Sequence, residues 1–302
     1  MEAAAATAGR FPGRTVFFVR GAAHPEALVA LPRMLRRFVK CGLSLGLDLT
    51  DRVGRMISRR TTAPSYGVVL YYHAVPPTQR HHFGRQMERL RRWAQPWALE
   101  APPPRAPRWV GISFDDAYES VWENAVPELQ RLGIPFTVFV PTGSLGQRPG
   151  WVHSRRHPFW QERVMGPERI RELAALPLVS LGSHTVSHPR LSQLSPADAA
   201  RELKDSKHAL EDLTGRPVEL FSSPHGDWSP QLVGWALAAG NRRLFGIEPI
   251  QLEGDTLPPV VGRVAVEPEE TILEFILKLK GCYRWAARSR AARPVPATCP
   301  AA

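Results

Sequence analysis

Seven short apolar runs recur between Gly67 and Val266, and helical patterns fill most of the gaps between them. The runs are Gly67–Tyr72, Trp109–Phe114, Phe136–Val140, Leu178–Gly182, Val218–Phe221, Leu244–Ile247 and Val260–Val266. Apolar residues at helical spacing mark 83–94, 118–132, 168–176, 195–213, 230–239 and 269–280. Such alternation predicts an α/β domain, a mostly parallel sheet with helices outside it, open or closed into a barrel. In folds of this class the C-terminal strand ends carry side chains that face a ligand rather than a core.

Three runs stop at residues suited to chemistry. Trp109–Phe114 ends at Asp115-Asp116, two adjacent carboxylates that point in different directions. One can hold a cation while the other, close to that charge, takes a proton. The plainer reading makes Asp116 a helix cap and Asp115 its solvated neighbour. Leu178–Gly182 leads into Ser183-His184-Thr185-Val186-Ser187-His188-Pro189. Its two imidazoles, four residues apart, suit one metal ion, and Pro189 argues for a loop that folds both rings inward. With a carboxylate from the other strand end they form a His, His, Asp set that leaves coordination positions open. Val218–Phe221 leads into Ser222-Ser223-Pro224-His225-Gly226, a turn able to present backbone N–H groups to an oxyanion.

The net charge of +11 resides in the flanks. Residues 1–62 read as a basic N-terminal extension. Between Leu31 and Arg60 it alternates apolar and Arg/Lys residues near helical spacing, as a basic amphipathic helix pair on a membrane surface or a helix packed on the main domain. Residues 63–283 read as the catalytic body and 284–302 as a disordered tail. The Ala-rich start lacks the order of a secretory signal, and Thr15–Val19 is too short to span a bilayer. The expected address is therefore cytoplasmic, with peripheral membrane association through the basic segment. A nucleic-acid partner is not expected, because the basic residues flank the motifs instead of lining them. Cys41, Cys282 and Cys299 are too few and too scattered for a disulfide framework.

Ser113-Phe114-Asp115-Asp116, the segment Ser183–Ser192 and Phe221-Ser222-Ser223-Pro224-His225-Gly226 together resemble the polysaccharide deacetylase (NodB-homology) superfamily, carbohydrate esterase family four. The opening Tyr71-Tyr72-His73-Ala74-Val75 is similar to the branch that deacetylates matrix poly-N-acetylglucosamine. The resemblance implies a distorted (β/α) barrel of about seven strands that removes N-acetyl groups from an amino-sugar polysaccharide, oligosaccharide or lipid-linked glycan. It implies Asp115 as general base, Asp116, His184 and His188 as metal ligands, and the His225 backbone N–H as oxyanion donor. It implies one divalent ion, zinc first, the donor set also suiting cobalt, nickel, manganese or iron. Trp151 and Trp228 are candidates to stack a sugar face.

The chain departs from the family pattern twice. The third motif often carries an Arg that buttresses the base, and Ser222-Ser223 stands there instead. A C-terminal Leu-x-His that protonates the leaving amine is replaced by Arg263-Val264-Ala265-Val266, which leaves His73 as the candidate acid and His225 next. These departures keep two rivals open: an O-acetyl esterase or other C–N hydrolase on the same scaffold, and an inactive glycan-binding module.

Overall fold

The first strand, β1 (Tyr66–Tyr72), sets the two sides of the sheet by its alternation. Val68, Leu70 and Tyr72 join the large core under the helices, whereas Val69 joins a second cluster with Trp97, Leu99, Trp109, Phe139 and Phe245 inside the curl of the sheet. The structure is a computed structural model and describes residues 33–57, 65–254 and 257–287. The Thr15–Val19 run and the tail from 288 onward lie outside them.

The other strands are β2 (Gln95–Trp97), β3 (Arg108–Phe114), β4 (Phe136–Val140), β5 (Val179–Ser183), β6 (Leu220–Ser222) and β7 (Arg243–Phe245), then β8 (Leu252–Glu253), β9 (Val260–Val261) and β10 (Val264–Ala265). The main path runs β10-β1-β3-β4-β5-β6-β7-β9, and every pairing along it is parallel. β2 pairs alongside β3, within the Pro-rich stretch 95–107, and β8 is an antiparallel addition to β1.

The run Val260–Val266, expected as one strand, is two. β9 pairs with β7 at one edge of the sheet, and β10 pairs with β1 at the other. Only Gly262 and Arg263 separate them, so the chain itself crosses the seam between the two edges. Counted as one segment, β9 and β10 complete the seven strands of the expected distorted barrel. A Cβ on Gly262 would lie 2.2 Å from the Glu248 carbonyl oxygen, so only glycine passes there.

The lower interior is filled by indoles. Trp109 is buried, its ring 4.9 Å from that of Trp97 at 78°, an edge-to-face contact contributing about 0.5–1.5 kcal/mol beyond burial. Gly67 makes room for it, since a Cβ there would lie 2.0 Å from the Trp109 ring.

Helices α2 (Arg80–Trp93), α3 (Val126–Leu132), α4 (Pro167–Ala175), α5 (Pro196–Thr214), α6 (Pro230–Ala238) and α7 (Ile272–Leu279) accompany the sheet. α5 is capped at its start: Ser195 accepts from the Asp198 N–H and Pro196 is the first helical residue. The 118–132 helix is interrupted near Pro127, a π-turn at Val121–Ala125 preceding α3.

The described part of the N-terminal extension is a single helix, α1 (Arg33–Ile57), rather than a helix pair. Its contacts are with α7 and with Arg284–Ala286, which form a 3₁₀ turn although the sequence placed them in the tail. No described helix is long and apolar enough to cross a membrane.

Gly262→Ala is expected to destabilise the domain by about 1–3 kcal/mol, because the backbone at the seam must shift to admit one methyl. Urea unfolding of the variant against wild type measures this, and equal midpoints would contradict the close approach at the seam.

Candidate metal and catalytic centre

Residues that leave β3, β5 and β6 meet above the upper end of the curled sheet. Asp115 continues β3, its N–H donating to the Tyr72 carbonyl at 2.9 Å. The chain then turns through Asp116 (φ 70°) and Ala117 (φ 48°), both left-handed. That turn points the two carboxylates apart. His184 continues β5, its N–H donating to the Val140 carbonyl. Thr185 (φ 67°) and His188 (φ 58°) then fold the loop back. Glu202 of α5 holds this loop, accepting from the Val186 and Ser187 N–H groups and the Ser187 hydroxyl at 2.7, 3.0 and 2.6 Å.

Asp116, His184 and His188 are all buried, and each offers a ligand atom within 4.8 Å of the other two. Asp116 Oδ1 lies 3.3 Å from His188 Nε2 and 3.6 Å from His184 Nε2, yet it has no properly aligned hydrogen-bond donor. A buried carboxylate oxygen without a donor is costly, and a cation would satisfy it. His184 Nδ1 sits 2.7 Å from the Ser222 carbonyl, which can only accept. The proton is therefore on Nδ1 and the Nε2 lone pair faces Asp116, the arrangement a metal ligand needs. Burial pushes the His184 imidazole down to about 4, so the ring is neutral. Burial opposes ionisation of Asp116, but His188, His73 and His184 around it outweigh that and hold its carboxyl well below the usual range. The donor set fits one divalent ion.

Asp115 faces the other way, into the barrel. There the buried guanidinium of Arg263 meets it with two parallel bonds, Nη1 to Oδ1 at 2.7 Å and Nη2 to Oδ2 at 2.8 Å. Burial alone would raise the Asp115 carboxyl, but the Arg263 charge outweighs it and keeps the group lowered. The Arg absent from the third motif is supplied by Arg263. It enters from the seam, and Ser222 at the motif position bonds its Nη2 at 2.7 Å.

The remaining candidates are placed as follows. His73 is half-buried, its ring 5.5 Å from Tyr71 and 5.3 Å from Phe159, and its field helps hold down both Asp115 and Asp116. His225 is exposed, takes a left-handed conformation (φ 58°) and lies 4.8 Å edge-on from His188. Trp151 stacks on the His188 ring at 4.1 Å and 19°, so one indole face supports that imidazole instead of standing free for sugar. Trp228 packs against the cluster of Leu191, Leu232 and Leu244. Arg263 and Glu202 join the site without a local signal in the sequence.

Residues 103–244 match the family described as Polysaccharide deacetylase. That stretch carries the polysaccharide deacetylase family signature. YxkH of Bacillus subtilis is 26% identical over 159 residues, 53% of this chain and 52% of its own length. The poly-beta-1,6-N-acetyl-D-glucosamine N-deacetylase of Staphylococcus aureus is 26% identical over 149 residues, 47% of this chain and 48% of its own. The chain thus spans about half the length of the curated relatives it matches. Among solved structures, IcaB from Ammonifex degensii aligns with a TM-score of 0.58 at 24% identity over 75% of this chain and 99% of that one. The Streptococcus pyogenes deacetylase PplD aligns with a TM-score of 0.58 at 19% identity over 72% and 98%. At these identities the alignments show the fold. The deacetylase family match covers Asp115, Asp116, His184, His188 and His225 but stops short of Arg263.

Two expectations follow. Arg263→Met leaves a buried carboxylate unpaired and is expected to cost about 3–5 kcal/mol at neutral pH. Because Asp115 is held below its unfolded value, the pair stabilises above roughly pH 4 and loses that contribution as the pH falls. The penalty should therefore shrink toward pH 3 in denaturant titrations, and a pH-independent penalty would contradict the assignment. Separately, calorimetric titration with zinc should show one ion per chain in wild type and none in Asp116→Asn/His188→Gln.

Proposed function

We propose that this domain hydrolyses the N-acetyl group of an N-acetylglucosamine-containing glycan, the substrate class named for the Staphylococcus aureus relatives. The observation that carries the reading is the split between the two adjacent carboxylates, Asp116 toward two imidazoles and Asp115 toward a buried guanidinium. A divalent ion held by Asp116, His184 and His188, zinc first among the metals this donor set suits, would polarise the acetamide carbonyl and acidify water.

Asp115 is the general base. The Arg263 fork fixes its orientation and keeps it ionised, ready to accept a proton from the attacking water. The left-handed turn at His225 presents its backbone N–H as oxyanion donor. His73, on the chain leaving β1 and with a field that reaches both carboxylates, donates the proton that the departing amine requires. Trp151 keeps the His188 ring in place through the cycle.

Asp115→Asn tests the assignment. It should lower acetate release from β-1,6-linked N-acetylglucosamine oligomers by about 10²–10⁴-fold while zinc binding persists. Faster release from acetylated xylan than from the amino-sugar oligomers would favour an O-acetyl esterase. A wild-type protein that binds zinc and oligomer but releases no acetate would make the domain a binding module.

A further inference from the structure

Helix α1 is docked with its polarity inverted. Surface helices normally bury their apolar stripe and expose their charges. Here the polar side faces the domain: Arg37 pairs with Glu274 at 3.0 Å, Asp48 with Lys280 at 2.9 Å and Asp51 with Arg284 at 2.7 Å. Ser44, fully buried, accepts from the Trp285 indole at 2.9 Å. The other side carries Leu35, Phe38, Leu45, Leu49 and Val53, between 44% and 67% exposed. Their spacing places them in one stripe, and Gly42 and Gly46, on the same side, have open space around them. A continuous exposed apolar stripe of this kind marks an interaction surface.

Charge decides what covers it. α1 contains six Arg/Lys and two Asp; both Asp are already paired with cations, and Arg37 and Arg52 are themselves paired with Glu274 and Asp48. The helix therefore offers its surroundings no unpaired carboxylate. A second copy of the same helix would set two segments of net charge +4 (six Arg/Lys less two Asp) against each other, whereas an anionic bilayer complements both the stripe and that net charge. A second basic feature adjoins α1. Lys280, which holds Asp48, lies 5.9 Å from the Trp93 ring, and the Arg108 guanidinium covers that ring at 4.0 Å. Trp93 and Arg108, with the exposed Arg91 and Arg92, line an open cavity of about 620 Å³.

We propose that α1 is an interfacial anchor seating the domain on an anionic phospholipid surface. Its Leu35–Val53 stripe enters the acyl boundary, and the Arg91/Arg92/Arg108 mouth meets lipid phosphates. This inference does not depend on the deacetylase reading.

Flotation of the full chain with vesicles tests it. Wild type should bind phosphatidylglycerol-containing vesicles at least tenfold more than pure phosphatidylcholine vesicles. Phe38→Ser/Leu49→Ser, both exposed positions, should reduce that binding at least tenfold with unchanged unfolding midpoint and zinc binding, and Arg92→Glu/Arg108→Glu should weaken the lipid-charge preference. Wild type that ignores anionic vesicles, or binding that survives Phe38→Ser/Leu49→Ser, would overturn the proposal. So would a concentration-dependent dimer, seen by sedimentation and abolished by the same double variant, in a protein that does not float.

Discussion

The buried ion pair between Arg263 and Asp115 is the constraint around which the upper barrel is built. A guanidinium with no exposed surface is tolerable only if its donors are satisfied. Nε donates to the Gly246 carbonyl, Nη1 to Ser113 and Asp115, and Nη2 to Asp115 and Ser222, which employs all five N–H groups. Tyr71 and Phe139 lie within 4.6 and 5.3 Å of its carbon, so the cation rests on ring faces. Lysine, a point charge with three donors, could not replace this fork. The pair also joins the seam to β3, and so couples closure of the sheet to the orientation of one carboxylate.

Two adjacent carboxylates would ordinarily raise one another's pKa. Here each is held low by its own surroundings, Asp115 by Arg263 and Asp116 by the imidazoles. Their separation comes from backbone strain. Asp116, Ala117, Thr185, His188 and His225 account for five of the six non-glycine residues with positive φ among the described residues. Such conformations cost on the order of 1–3 kcal/mol each and persist only where the surroundings over-determine them. The Glu202 clamp and the Trp151 stack supply that reinforcement for the His184–His188 loop.

The strand ends were legible because apolar runs and the polar residues that terminate them are local. Asp115, Asp116, His184 and His188 could be gathered on paper because parallel strands bring their C-terminal ends to one rim. Arg263 could not. It stands 41 positions from the motif it serves, in a run that reads as one continuous strand, and nothing in Val260–Val266 reveals a break at Gly262. The polarity of α1 was hidden for a different reason. Periodicity locates an apolar face but not the direction it points, and only the partners on α7 and at Arg284 show that the polar face docks. Trp151 read as a free aromatic because its neighbour His188 is 37 residues away in a separate loop.

The exchange of residues at Ser222 and Arg263 has a steric logic. The third motif ends β6, whose Ser222 is buried and whose carbonyl already holds His184 in its metal-ready tautomer. A long side chain at that position would have to share the space beneath Asp115 with whatever arrives from the seam. A small hydroxyl leaves that space to the guanidinium and still bonds it at 2.7 Å. Asp115 is thus buttressed from the β9–β10 seam rather than from β6, and Ser222 works through its carbonyl on one side and its hydroxyl on the other. One residue then links His184 to the Arg263 that holds Asp115, so the two halves of the site are joined by hydrogen bonds through Ser222.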